Sequence, residues 1–196
     1  MKRHAPAAER NRGPILEVLQ RVLPEHGHAL EVASGSGQHV VAFAAAMPQW
    51  TFSPSDLDPT ARASVDAWVA ELGLGNVRPA VTLDASAWPW PVTSVDAVLC
   101  SNMIHISPWD ATLGLLRGAG EVLTPGGTLV LYGPFYVEGQ SADSNVAFDR
   151  SLRSRDRSWG VRELEEIRSI ASSHGLVHEQ SVTMPANNLT VVFRRD

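Results

Sequence analysis

Three carboxylates and one run of small residues hold the chemistry of this sequence. Glu31 lies near the end of an apolar stretch, Ser34-Gly35-Ser36-Gly37 follows it, and Asp56 and Asp84 each close a later strand-like stretch. Glycines between two apolar segments let the backbone approach a ligand and take turns that a side chain blocks. The helix that follows offers free N–H groups to an anion. A turn alone needs one glycine. Gln38 after Gly37 removes the Gly-Lys-Ser/Thr end of a phosphate-gripping loop, and Val40 stands where a dinucleotide fingerprint wants a third small residue. Glu31 beside the loop repels a pyrophosphate but suits a ligand with an ammonium and a sulfonium group, whose carboxylate can meet the loop N–H groups. Asp56 follows the loop by about 20 residues, where an acceptor for ribose hydroxyls belongs. Asp84 is placed to accept from an adenine amino group or simply to shape a turn. Asp58, ahead of Pro59, reads as a helix N-cap.

The elements that must position these groups follow from periodicity and punctuation. Ile15, Leu16, Leu19, Val22 and Leu23 recur at helical spacing, so residues 7–23 form a helix ended by Pro24 and Gly27. Strands are expected at 28–33, 51–56, 77–83, 95–101 and 128–132, with helices at 37–47, 59–72 and after Pro108. Two further helices, near 145–155 and 161–174, precede strands at 176–183 and 189–194. The link between those two strands is so short that they must be antiparallel. The expected fold class is α/β: a Rossmann-like three-layer sandwich whose mostly parallel, seven-stranded sheet has its last strand antiparallel. One domain over 1–196 is expected, with 1–27 as an N-terminal helix or lid and 134–160 as an inserted loop and helix.

Of the 196 residues, 44% are hydrophobic and 19% charged, which is ordinary for a soluble domain. The net charge of -5 argues against a nucleic-acid partner. The basic cluster Arg150–Arg157 contains Asp149 and Asp156 at or inside its edges and reads as a solvated face. The single cysteine, Cys100, sits in an apolar run and reads as buried and inert. Residues 1–13 lack the apolar core of a secretory leader, and no run approaches the ~20 residues of a membrane span. No membrane partner is expected, and the cytoplasm is the expected compartment. No His or Cys spacing suggests a metal site.

The run Glu31-Val32-Ala33-Ser34-Gly35-Ser36-Gly37 resembles the first motif of class I S-adenosylmethionine-dependent methyltransferases. Pro125-Gly126-Gly127-Thr128-Leu129 resembles that family's turn into its fifth strand, and the closing hairpin resembles its sixth and seventh strands. The resemblance implies S-adenosylmethionine as cofactor, with Asp56 on its ribose and Asp84 at its adenine. The expected cofactor-binding set is completed by Glu31, Ala33, Ser34, Gly35, Gly37, Leu57, Ala85 and Asn102, by His39, whose alternative is a surface helix histidine, and by Met103, whose alternative is plain core. Ala33 departs from the family, where glycine is common. Segments 7–12, 34–39, 102–107 and 184–188 resemble a narrower, poorly characterised subfamily that includes methyltransferase-like protein 26 and is also filed as a domain of unknown function.

Methyl transfer from a sulfonium gains most of its rate from alignment and needs a base only when the acceptor must lose a proton. His105, after the fourth strand, is the candidate base, with packing beside the cofactor as its alternative. The acceptor pocket is expected from Arg10, Asn11, Phe135, Tyr136, Asn145, Asp149, Arg153, Trp159, Asn187 and Asn188, a mixed polar and aromatic set that suits a small-molecule substrate. A cofactor-binding protein without transfer activity is the second reading. A nicotinamide-dependent oxidoreductase is a remote third, disfavoured by Val40 and Glu31. The acceptor and the oligomeric state are not legible.

Overall fold

The chain alternates strands and helices through its first two-thirds and ends in an antiparallel pair. A computed structural model describes all residues, 1–196. Helix α1, Pro6–Val22, has Pro6 at its first turn, where the missing N–H costs nothing, and buries Ala8, Asn11, Ile15, Val18, Leu19 and Val22. Strand β1, Gly27–Val32, leads through the glycine loop into α2, Gln38–Ala46. Strand β2, Trp50–Ser55, leads into α3, Pro59–Leu72. Asp58 caps α3 as its spacing predicts, its Oδ1 accepting from Thr60 N at 2.8 Å. Strand β3, Val95–Ser101, passes through a 3-10 turn at Met103–His105 into α4, Trp109–Val122, and then β4, Leu123–Gly133. The stretch between β4 and the last α-helix holds β5, Phe135–Tyr136, α5, Asp143–Arg155, and β6, Arg162–Glu163. Helix α6, Leu164–Ser173, precedes β7, Leu176–Met184, and β8, Asn188–Arg195.

The main sheet has the order β2-β1-β3-β4-β8-β7. Strands β2, β1, β3 and β4 are parallel, and β8 runs antiparallel to both β4 and β7. Two apolar layers cover the sheet. One joins α4 and α6 through Leu115, Leu116, Leu164 and Ile167. The other joins α1, α2 and α3 through Ile15, Leu19, Phe43 and Val65, with Trp50 and Phe52 from β2. The three-layer sandwich and the antiparallel last strand are therefore as the sequence predicts.

The sheet has six strands, not seven. Residues 77–83 touch β2 only as isolated bridges, at Val77 with Phe52 and Val81 with Ser55. Proline accounts for the difference. Pro54 within β2 and Pro79 within the would-be strand both lack an N–H, so neither can donate to a ladder. Phe52 N and Arg78 N make ladder-like bonds at 2.8 Å, and the next bond, Val81 N to Pro54 O at 3.0 Å, arrives one residue late. The segment still packs along β2 and still delivers Asp84 to the end of the sheet.

Candidate functional site

The chain moves from β1 outward to β2 and then back across to β3, so the strand order reverses between β1 and β3. At such a switch point, the carboxyl ends of the strands open onto a crevice. The glycine loop occupies it. Ala33, Gly35 and Gly37 all take positive φ, at 59°, 56° and 85°. A Cβ on Gly37 would lie 2.9 Å from Val65 Cα, so a side chain there would push α2 away from α3. The loop is clipped to the end of β2: Ser34 N donates to Ser55 O at 2.8 Å, and Gly35 N donates to Asp56 Oδ2 at 2.9 Å. Asp56 Oδ1 accepts from Asp58 N at 2.9 Å. These bonds fix the Asp56 carboxylate and leave lone pairs on both oxygens for a ligand.

Beside this loop lies a cleft of about 430 Å³, lined by Val32, Ala33, Asp56, Leu57, Leu83, Asp84, Ala85, Ser86, Met103, Ser107, Pro108, Asp110 and Ala111. It unites the ends of β1 and β2, the end of the 77–83 segment, and the entry to α4. Six of the expected cofactor residues line it: Ala33, Asp56, Leu57, Asp84, Ala85 and Met103. Asp84 Oδ1 accepts from Ser86 N at 2.9 Å and Ser86 Oγ at 2.7 Å, so this acid both shapes its turn and faces the cleft. Ser86 and the wall of Ser107, Pro108, Asp110 and Ala111 are additional to the residues the sequence predicts. Pro108, which opens α4 at the end of the switch-point strand, was the available signal.

Glu31 is 3% exposed, beneath the loop rather than in the wall of the cleft, and its Oε2 has no hydrogen-bond partner. Burial pushes its carboxyl up to about 7; a hydrogen bond from Ser34 opposes the rise and the Asp56 charge adds to it. A lone carboxylate so enclosed is costly unless a cation meets it. Asn102, with φ 62°, starts the turn after β3, and its N–H donates to Tyr132 O at 2.8 Å.

His105 does not fit the role of base. Its ring is fully buried, packs edge-on to Phe135 at 5.2 Å between centroids, and would be struck by a Cβ on Gly133. Both ring nitrogens lack partners. Burial, then the Arg162 charge, lowers its pKa to about 3, so it is neutral and weakly basic at pH 7. The structure gives it a packing role.

The expected acceptor residues separate into groups. Asn11 Oδ1 pairs with His39 Nε2 at 2.6 Å, and Asn188 Nδ2 donates to the Tyr132 hydroxyl at 3.1 Å. Burial, then the Arg12 charge, lowers the His39 pKa to about 4, so this histidine is neutral. Arg10 is exposed on α1. Asn145 Nδ2 donates to Asn187 O at 2.8 Å, tying α5 to the closing turn. Asp149 accepts from Arg153 Nε at 2.9 Å and Val161 N at 2.8 Å, closing the inserted loop on itself. Tyr136 and Arg153 line a separate open cleft with Trp109 and Arg162. Trp159 stacks under Arg155 at 5.1 Å. No single pocket gathers all ten. Cys100 is buried, its thiol pushed up to about 12, and is inert as expected.

This geometry is that of a Rossmann-like methyltransferase fold. A solved structure of CalO1, a methyltransferase in calicheamicin biosynthesis with SAH bound, superposes with a TM-score of 0.74 at 18% identity, covering 95% of this chain and 54% of that one. The chain belongs to the family described as protein of unknown function DUF938, which it matches over residues 2–195. That is the subfamily to which the motifs in segments 7–12, 34–39, 102–107 and 184–188 point. Aclacinomycin 10-hydroxylase RdmB from Streptomyces purpurascens is 31% identical over 85% of this chain and 44% of its own length. Ribosomal RNA small subunit methyltransferase G from Ralstonia nicotianae is 28% identical over 78% of this chain and 60% of its own length. The chain thus spans about half the length of these curated relatives. No helix is long and apolar enough to cross a membrane.

Proposed function

We propose that this protein binds S-adenosylmethionine in the cleft at the β1–β3 switch point and is a methyltransferase acting on a small molecule. The observation that carries the reading is the combination of Asp56 and Asp84 in one cleft with the buried Glu31 carboxylate, its Oε2 unpaired, beneath the adjoining loop. Bound there, the cofactor supplies an electrophilic methyl group on a sulfonium. The free lone pairs of Asp56 suit the two ribose hydroxyls. The Asp84 carboxylate suits the adenine amino group, and Val32, Leu83 and Met103 suit its faces. Glu31 offers the negative charge that an ammonium group would neutralise. With His105 enclosed and neutral, the residues act by orientation and exclusion of water rather than by removing a proton. The overall negative charge favours a small acceptor over RNA.

Calorimetric titration with S-adenosylhomocysteine tests this reading. The protein should bind it, and Asp56→Ala should weaken binding roughly 10- to 100-fold, as loss of charged hydrogen bonds does. A thermal shift with NADH but with neither S-adenosylmethionine nor S-adenosylhomocysteine would overturn it. A cofactor-binding protein without transfer activity is the second reading, favoured by one observation: RdmB is named for hydroxylation.

A further inference from the structure

A serine inside α3 braces the back of the glycine loop. Ser64 is fully buried, and its hydroxyl accepts from Arg3 N at 2.7 Å and donates to Ser36 O at 2.8 Å. A serine within a helix often turns its hydroxyl back to the carbonyl one turn earlier. This one instead spans from the segment ahead of α1 to the loop. Asp56 Oδ2, accepting from Gly35 N, holds the loop's other flank. Residues 2–5 lie along α3. Trp68 Nε1 donates to Arg3 O at 3.2 Å, the Lys2 ammonium sits 4.1 Å from the centre of a Trp68 ring, and the His4 ring meets Trp68 edge-on at 5.0 Å. Ala5 N donates to Oε1 of the buried Gln38, the first residue of α2, at 2.6 Å. Arg3 Nη1 also donates to Asp58 Oδ2 at 2.9 Å, but this ion pair is exposed and contributes little. The bonds through Ser64 and Gln38, two buried side chains, hold more.

We infer that Ser64, with residues 2–5 docked on it, positions the glycine loop to receive the amino-acid half of S-adenosylmethionine. The inference rests on the reading of the cleft as a site for that cofactor and adds positioning residues outside it. Neither Ser64 nor residues 2–5 line the cleft, so their effect passes through the loop. The loop needs such a brace. Ala33, Gly35 and Gly37 all hold positive φ, and a path of that kind persists where its surroundings over-determine it. Ser36 lies between the two glycines, so a bond on its carbonyl fixes the peptide plane that leads into α2. Gly37 rests against Val65, the next residue of α3, so brace and seat are neighbours in sequence. A loop already held in its bound path loses less freedom when the ligand arrives.

The test compares calorimetric affinities for S-adenosylhomocysteine and for 5′-methylthioadenosine, which lacks the amino-acid half. Ser64→Ala should weaken S-adenosylhomocysteine about tenfold and leave 5′-methylthioadenosine within about twofold. Equal loss of both ligands, as general damage to the fold would give, overturns the inference, and so does loss of neither. A second pair of variants changes only the exposed Arg3. Arg3→Pro removes the N–H that Ser64 accepts and should weaken S-adenosylhomocysteine about fivefold, whereas Arg3→Ala keeps that N–H and should not. Equal effects of these two overturn the role of the segment, and the pair decides the matter if Ser64→Ala does not fold. Failure of the native protein to bind either nucleoside overturns the cofactor reading instead. Hydrogen exchange of residues 33–38 in the ligand-free protein is then the separate readout: it should be faster in Ser64→Ala and Arg3→Pro than in the native chain, and unchanged exchange overturns the brace.

Discussion

Glu31 sets ligand affinity against stability. Its folded pKa of about 7 lies above the ordinary 4.5, so between those values the folded chain holds a proton that the unfolded chain releases. Stability therefore falls as pH rises through this window, by roughly 3 kcal/mol in all. Glu31→Gln should be more stable than the native chain by about that amount above pH 7 and equal to it near pH 4. Urea unfolding at several pH values measures this. The same substitution should weaken S-adenosylmethionine binding at pH 8 and flatten its decline below pH 7, as calorimetry at both pH values would show. Ala33 stores a second tension: at φ 59° its Cβ opposes the left-handed backbone. Ala33→Gly should raise stability by about 1 kcal/mol, read as a higher urea midpoint. The acids of this site were legible because strand ends punctuate the sequence. Ser64 was not, because a serine within a helix looks like surface until the segment ahead of α1 folds back to meet its hydroxyl.

Helix α4 shapes the site by close packing as well as by lining the cleft with Asp110 and Ala111. Gly114 lies under the Asp84 turn, and a Cβ there would come 2.1 Å from Ala85 O and 2.7 Å from Ser86 Cα. Gly114→Ala should cost about 1–3 kcal/mol by displacing that turn and should weaken S-adenosylhomocysteine binding. Gly75→Ala, with nothing within 4 Å of the added carbon, is the control and should do neither. Paired measurements of denaturant midpoint and binding affinity decide the matter. Element boundaries were readable where local chemistry enforced them. Pro59 and Gly73 bracket α3 at both ends, and β3 matches its apolar run. The strand expected at 77–83 is reduced to isolated bridges because Pro79 interrupts its donors, and the matching Pro54 in β2 matters only through a pairing that the sequence does not spell out. The short β5–β6 pair, joining Phe135 to Arg162, carries no local signal at all.

Across the whole molecule, rigidity is uneven. Strands β1, β3 and β4 are buried by both layers, whereas α5 buries only Asn145, Asp149 and Leu152. Hydrogen exchange should be slowest in those strands and fast in α5, since exposed elements open with low local free energy. Helix α1 should exchange slowly, because Ala5 N to Gln38 Oε1 at 2.6 Å and Gln38 Nε2 to Glu9 Oε2 at 2.9 Å fasten it to α2. The layer architecture was legible from alternation of apolar runs and helices, but the separation of the acceptor residues into distinct groups was not, since it depends on how the inserted loop closes. The prolines facing each other across β2 have one more effect. A bare strand margin invites a neighbouring polypeptide to zip onto it. Here one margin is capped by a segment that cannot offer an unbroken rail of donors, and the other, β7, carries an irregularity between His178 and Gln180 beside the charged Glu179. Both flanks are thereby made poor templates for lateral growth into fibrils or strand-swapped pairs.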